Sequence, residues 1–136
     1  STVTVTGKDY LGQVMVETLT LNGTNAVAGK KAFRIITSIA WGATASRTID
    51  VGWGDVLGLP YKVFSFETNL VDRAAASGAG TVVAGVATST TQTATTGDPR
   101  GTWTPHASDL ADGSKTYQIR AYCDRQNLHG NAHYAG

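Results

Sequence analysis

Apolar and polar residues alternate with a period of two along most of this chain, and glycines interrupt each run before a helix could form. Thr2-Val3-Thr4-Val5-Thr6, the run from Val14 to Leu21, and Thr116-Tyr117-Gln118-Ile119-Arg120-Ala121-Tyr122 all predict strands. Such strands send alternate side chains to a core and to solvent. In the second run Val14 and Val16 share one parity while Leu19 and Leu21 take the other, so a bulge is expected near Glu17-Thr18. Asn22-Gly23 then forms a tight turn, because both residues accept positive φ. Residues 32–40 place Phe33, Ile35, Thr37 and Ile39 on one face. Residues 47–53 return with Ile49, Val51 and Trp53 alternating against polar positions, which assigns Trp53 to packing.

Gly52, Gly54, Gly58 and Pro60 fall within nine residues and predict a structured turn. Strand patterning resumes at 62–68 and 81–88. Only 70–77, with Leu70, Arg73, Ala74 and Ala75, suggests a helical turn, and Gly78 and Gly80 end it. The tract 88–96 is rich in threonine but lacks large apolar groups, so Thr90, Thr93 and Thr95 are candidates for an exposed edge that pairs with a neighbour. Residues 97–112 read as loop with a cap at Ser108, and 114–123 as the last strand. The pattern predicts an all-β domain over 1–123, built from about eight short antiparallel strands with little or no helix. A sandwich, a jelly-roll-like fold and a small barrel all fit. Residues 124–136 form an apolar-poor C-terminal arm.

Composition narrows the function. The 136 residues suffice for one core without staples. Charged residues make up 15% and the net charge is +1, which leaves no broad basic face for nucleic acid. Lys30-Lys31 with Arg34 reads as a solvated strand end. A single cysteine, Cys123, allows no intramolecular disulfide and favours folding in a reducing compartment. No signal peptide and no apolar run of spanning length is expected. Neither nucleic acid nor membrane is an expected partner, and no cofactor is expected.

Several motifs occur in a telling order: Val5-Thr6-Gly7-Lys8-Asp9, Gly12-Gln13, Glu17-Thr18-Leu19-Thr20-Leu21-Asn22-Gly23-Thr24, Val27-Ala28-Gly29-Lys30-Lys31-Ala32-Phe33, Ile36-Thr37-Ser38-Ile39, and Val51-Gly52-Trp53-Gly54-Asp55 with Leu57-Gly58-Leu59-Pro60. Over roughly the first half of the chain this string resembles a β-rich segment of virion structural proteins of tailed bacteriophages, including small capsid-associated proteins. The run from Thr96 to Pro105 and Ala111-Asp112-Gly113-Ser114-Lys115 are similar in character. The resemblance implies a non-enzymatic virion protein of the decoration or cement type. It would be made in the bacterial host cytoplasm and sit on the capsid surface. Its partners would be the major capsid protein and itself, with a trimer among the expected homo-oligomers. The resemblance brings no catalytic residues.

Chemical readings are weaker. Cys123, His129 and His133 have a spacing that holds zinc in some sites, but a structural site needs about four ligands, and a core thiol explains Cys123. His106, Ser108 and Asp109 contain the ingredients of a hydrolase triad but lie too close in sequence to form the relay, and no G-x-S-x-G elbow is present. Glu17, Asp50, Asp55 and Glu67 offer carboxylates without a spacing that selects a pair. Asn22-Gly23-Thr24 is formally a glycosylation sequon, which the hairpin explains without modification.

Surface contacts are the stronger expectation. Trp41 and Trp103 lie in predicted loops, where an aromatic marks an interface anchor or, alternatively, a stacking platform for carbohydrate. Leu128, His129, His133 and Tyr134 are the candidate docking residues of the arm. The alternatives to capsid cement are a lectin-like virion module and a tail or connector component.

Overall fold

The computed structural model describes residues 1–10, 12–42, 48–61, 63–85, 97–98 and 100–123. These form an all-β fold of three small antiparallel sheets, with no closed barrel among the described residues. The strands are β1 Thr2–Lys8, β2 Val14–Thr20, β3 Ile35–Trp41, β4 Leu57–Gly58, β5 Val63–Val71, β6 Ala74–Ala75, β7 Thr81–Ala84, β8 Gly101–Thr104 and β9 Tyr117–Cys123. A 3-10 turn spans Ala107–Asp109. The sheet orders are β2-β1-β3, β4-β8-β7 and β6-β5-β9.

In the first sheet the alternation of β1 holds, with Val3 and Val5 inward and the threonines toward solvent. The expected bulge at Glu17-Thr18 is absent: β1 and β2 pair in continuous register from Thr2↔Thr20 to Lys8↔Val14. Met15 and Glu17 face inward instead, while Val14 is exposed. A buried glutamate is tolerated because its carboxylate is occupied. One oxygen accepts the Lys30 amide at 2.6 Å and the other the Lys31 amide at 3.2 Å. The irregularity lies between β1 and β3, where the register skips from Thr6↔Ser38 to Gly7↔Ile36 and leaves Thr37 unpaired in the ladder. The skip splits the expected face of Phe33, Ile35, Thr37 and Ile39. Gly7 permits it, since a Cβ there would lie 2.7 Å from the Phe33 ring and still nearer the Ile35 carbonyl.

Three other expectations fail for identifiable reasons. Residues 70–77 form no helix but a hairpin, with Val71 paired to Ala74 across a two-residue turn. Asp72 and Arg73 both take positive φ, 50° and 68°, as a type I′ turn requires. Asp72 is held there by exchanging bonds with Thr116: its amide donates to the Thr116 carbonyl, and its carboxylate accepts the Thr116 amide, each at 2.9 Å. Residues 48–56 form no strand, and Trp53 is 99% exposed rather than packed. Lastly, the supposed loop 97–112 contains β8, the central strand of the middle sheet. The Asn22-Gly23 turn is present: the Asn25 amide donates to the Asn22 carbonyl at 3.0 Å, and Gly23 has φ 60°.

Strand β8 joins the other two sheets. Trp103, 1% exposed, packs with Leu59 and Val63 at the centre of the core, and Leu57, Tyr117, Ile119, Ala121 and Cys123 border the cluster. Its ring meets Tyr117 edge-on, 5.4 Å between centroids, and its indole N–H donates to the Ala79 carbonyl at 2.9 Å. Gly80, at φ 72°, lies so close to the indole that a Cβ would come within 2.7 Å of its nitrogen. Trp103 is therefore the core residue that the pattern had assigned to an exposed loop. Trp103→Ala should cost about 3–5 kcal/mol in urea unfolding; a loss below about 1 kcal/mol would remove β8 as the centre of the fold.

Candidate interaction surface

The chain places buried charges next to the start of β8. Asp9, Glu17, Lys31, Asp98 and Arg100 are all buried. Arg100 pairs with Asp9, Nη1 to Oδ2 at 2.7 Å, with side-chain exposures of 2% and 0%. The Arg100 Nε donates to the Leu59 carbonyl at 3.0 Å. The second Asp9 oxygen accepts the Gln13 amide at 2.8 Å, which closes the β1–β2 turn. Asp98 accepts the amides of Arg100 and Gly101 on one oxygen, at 2.9 and 3.2 Å, and that of Ala32 on the other, at 2.9 Å. Two carboxylates and one guanidinium thereby tie the first sheet, the 30–32 segment and β8 together.

Burial sets the electrostatics here. It pushes the Asp98 carboxyl above its ordinary value, against the three amides and the Arg100 charge that favour the ionised form. Burial also lowers Lys31, while the negative charges of Glu17 and Asp98 pull it back up. Lys31 is thus no solvated strand end, contrary to the sequence expectation. Lys30 and Arg34 remain exposed.

Arg34 borders a shallow cleft of about 230 Å³ lined by Tyr10, Ala32, Phe33, Arg34, Gly58, Leu59 and Arg100. Its guanidinium lies 5.7 Å from the centroid of the Tyr10 ring and donates to the Tyr10 carbonyl at 3.3 Å. Gly58 lets β4 approach this wall, because a Cβ there would meet that of Ala32 at 2.5 Å.

Most of the remaining unusual surface is apolar. On the edge strand β3, Ile36, Ile39 and Trp41 oppose Gly7, Val5 and Val3 and so share the inward face of the sheet. Yet Ile36 is half exposed and Trp41 is 57% exposed. On β7, another edge strand, Val82 and Val83 are exposed. Residues 48–56 carry exposed Val51, Trp53 and Val56, with Asp50 and Asp55 as the charged positions. Among the described residues, exposed large apolar side chains outnumber buried ones.

Of the sequence-derived candidates, Trp41 is on this surface and Trp103 is not; the latter's burial removes it both as interface anchor and as sugar platform. Thr90, Thr93, Thr95, Leu128, His129, His133 and Tyr134 lie outside the described residues. Trp53 was missed because its alternation with Val51 imitates a buried strand, although Gly52 and Gly54 on either side signalled a loop. His106 Nδ1 accepts the Ser108 amide at 3.2 Å, so His106 rather than Ser108 caps the 3-10 turn. Asp109 accepts the Ser77 amide at 2.7 Å. His106 thus serves the 3-10 turn, while the Asp109 carboxylate anchors Ser77, 32 residues away. Glu17 is committed to the 30–31 amides, and the exposed Glu67 lies 3.8 Å from Arg120. Among the described residues, no three His, Cys, Asp or Glu converge as a metal site, and no helix is long and apolar enough to cross a membrane.

Comparison with known proteins returns no matching family model, no matching characterised protein and no matching solved structure.

Removing either partner of the Arg100–Asp9 pair should cost about 3–5 kcal/mol, because the other charge is left buried and unpaired. Arg100→Met combined with Asp9→Leu should cost less than the sum of the two, by about 0.5–3 kcal/mol, in a denaturant double-mutant cycle. Strict additivity would show that the pair is not coupled. Asp98 makes a pH prediction. With its folded value raised above the ordinary 3.8, its contribution is full below that value and lost as pH rises through the folded one. The penalty of Asp98→Asn should therefore shrink as pH rises above the ordinary 3.8. A penalty that grows with pH would mean that the three amides, not burial, dominate this carboxyl.

Proposed function

We propose that this chain is a non-enzymatic virion structural protein that binds the outside of a tailed-phage capsid and stabilises it by bridging capsomers. The observation that carries this reading is the uncovered apolar surface, above all the fully exposed Trp53 together with Trp41 and Ile36 on a strand at the edge of its sheet among the described residues. An edge strand with apolar side chains invites pairing or aggregation in a free monomer, and natural chains cover or charge such edges. Here a protein partner is the cover. The order of the sequence motifs, which resembles that of small capsid-associated proteins, supports the choice of a virion as the place where it is found. The low charge content fits contact with a protein shell better than with nucleic acid.

Energetically, each large side chain contributes about 1.5–3 kcal/mol when removed from water. A few such anchors per copy are modest alone, but several contacts per oligomer raise the strength through effective concentration. A protein that binds only the assembled shell then stabilises it by mass action. Local burial outweighs long-range steering in this scheme, so attachment should tolerate salt better than a charge-driven complex would.

Mass-spectrometric copy counting in purified particles from lysates that contain this chain is the direct test. Hundreds of copies per particle are expected. A handful would move the protein to the tail or connector, and none would overturn the virion reading. On the same particles Trp41→Ser should weaken retention by about tenfold or more, as loss of one aromatic anchor does.

A further inference from the structure

We infer that the chain self-associates by a knob-and-cleft contact, in which Trp53 of one copy enters the Tyr10–Arg34 cleft of a second copy. The inference rests on reading these surfaces as protein contacts, and it names their first partner. The knob is Trp53, carried between Gly52 and Gly54 and 99% exposed, so it occupies no recess of its own chain. The recess is the cleft of about 230 Å³ walled by Tyr10, Ala32, Phe33, Gly58 and Leu59, with Arg34 at its edge. This is smaller than the roughly 300–1,000 Å³ of sites that engulf whole small molecules, and it suits a single large side chain.

Charge selects the occupant. The segment 48–56 carries Asp50 and Asp55 and no basic residue. The cleft is bordered by exposed Arg34. The two nearby acidic groups, Asp9 and Asp98, are buried and engaged by Arg100 and backbone amides. An acidic aromatic loop therefore meets a basic aromatic recess. Arg34 already lies over the Tyr10 ring, and an entering indole would cover the other face of the guanidinium. Tryptophan is the strongest side-chain partner for that cation.

The knob and one wall of the cleft belong to one continuous segment. Gly58 lies five positions beyond Trp53, a reach of at most about 18 Å. A contact of this kind is either exchanged reciprocally in a dimer or passed head to tail around a closed ring.

Sedimentation equilibrium of the full chain between about 1 and 100 μM, with no particle present, tests this. A dimer or a closed ring is expected. Trp53→Ala and Arg34→Glu should each weaken association by about 30-fold or more, the loss of one interface hot spot. Both positions are exposed, so unchanged thermal unfolding of the monomer is the folding control. Mixing Arg34→Glu with the Asp50→Lys, Asp55→Lys chain should restore association by charge exchange. A monomer at every concentration, an oligomer indifferent to Trp53→Ala, or a failed charge exchange would overturn the inference. Abundance on particles without self-association would defeat this contact and leave the virion reading standing. Self-association without any particle copies would do the reverse.

Discussion

The ion pair between Arg100 and Asp9 is the constraint on which the rest of the molecule depends. Two charges taken out of water cost several kcal/mol each unless their remaining hydrogen bonds are made. Here they are made to backbone: Gln13 donates to Asp9, and Arg100 donates to Leu59. The pair can therefore form only when the β1–β2 turn, the segment after β4 and the start of β8 are all in place. Asp98 adds the 32 amide to the same assembly. Three residues beyond Arg100, Trp103 fills the core. The six residues from Asp98 to Trp103 thus hold a first sheet by charge and a last sheet by packing.

Such a scaffold has a consequence for the surface. With the interior joined by a few buried charges and one small apolar cluster, many large side chains remain outside. Trp53, Trp41, Ile36 and Val83 are among those exposed.

The sequence showed the class of fold because strand periodicity is local: Val3 and Val5 against Thr2, Thr4 and Thr6 require no knowledge of the rest of the chain. It did not show the partners of buried polar groups, which are nonlocal. Glu17 looked like a phase break because nothing near it in sequence says that residues 30 and 31 would donate their amides. Asp72-Arg73 looked helical because the bonds to Thr116, 44 residues away, outweigh helix propensity. The two tryptophans exchanged roles for a related reason. Trp53 sits in an alternating run that has no strand to pair with, and Trp103 sits between Gly101 and Pro105 in a run short enough to pass for loop. The glycines flanking each were the useful signal. Around Trp53 they leave open space, whereas Gly101 admits the close approach of β7.

The central claim is that exposed tryptophan, not a cleft with reactive groups, is the working part of this protein. Oxidative footprinting of the chain, free and on its particle, reads that directly, because the three tryptophans report separately. Trp53 and Trp41 should react readily in the free monomer and become protected in the assembly, while Trp103 stays unreactive in both. Equal labelling of Trp41 and Trp53 in the free and assembled states would contradict the account.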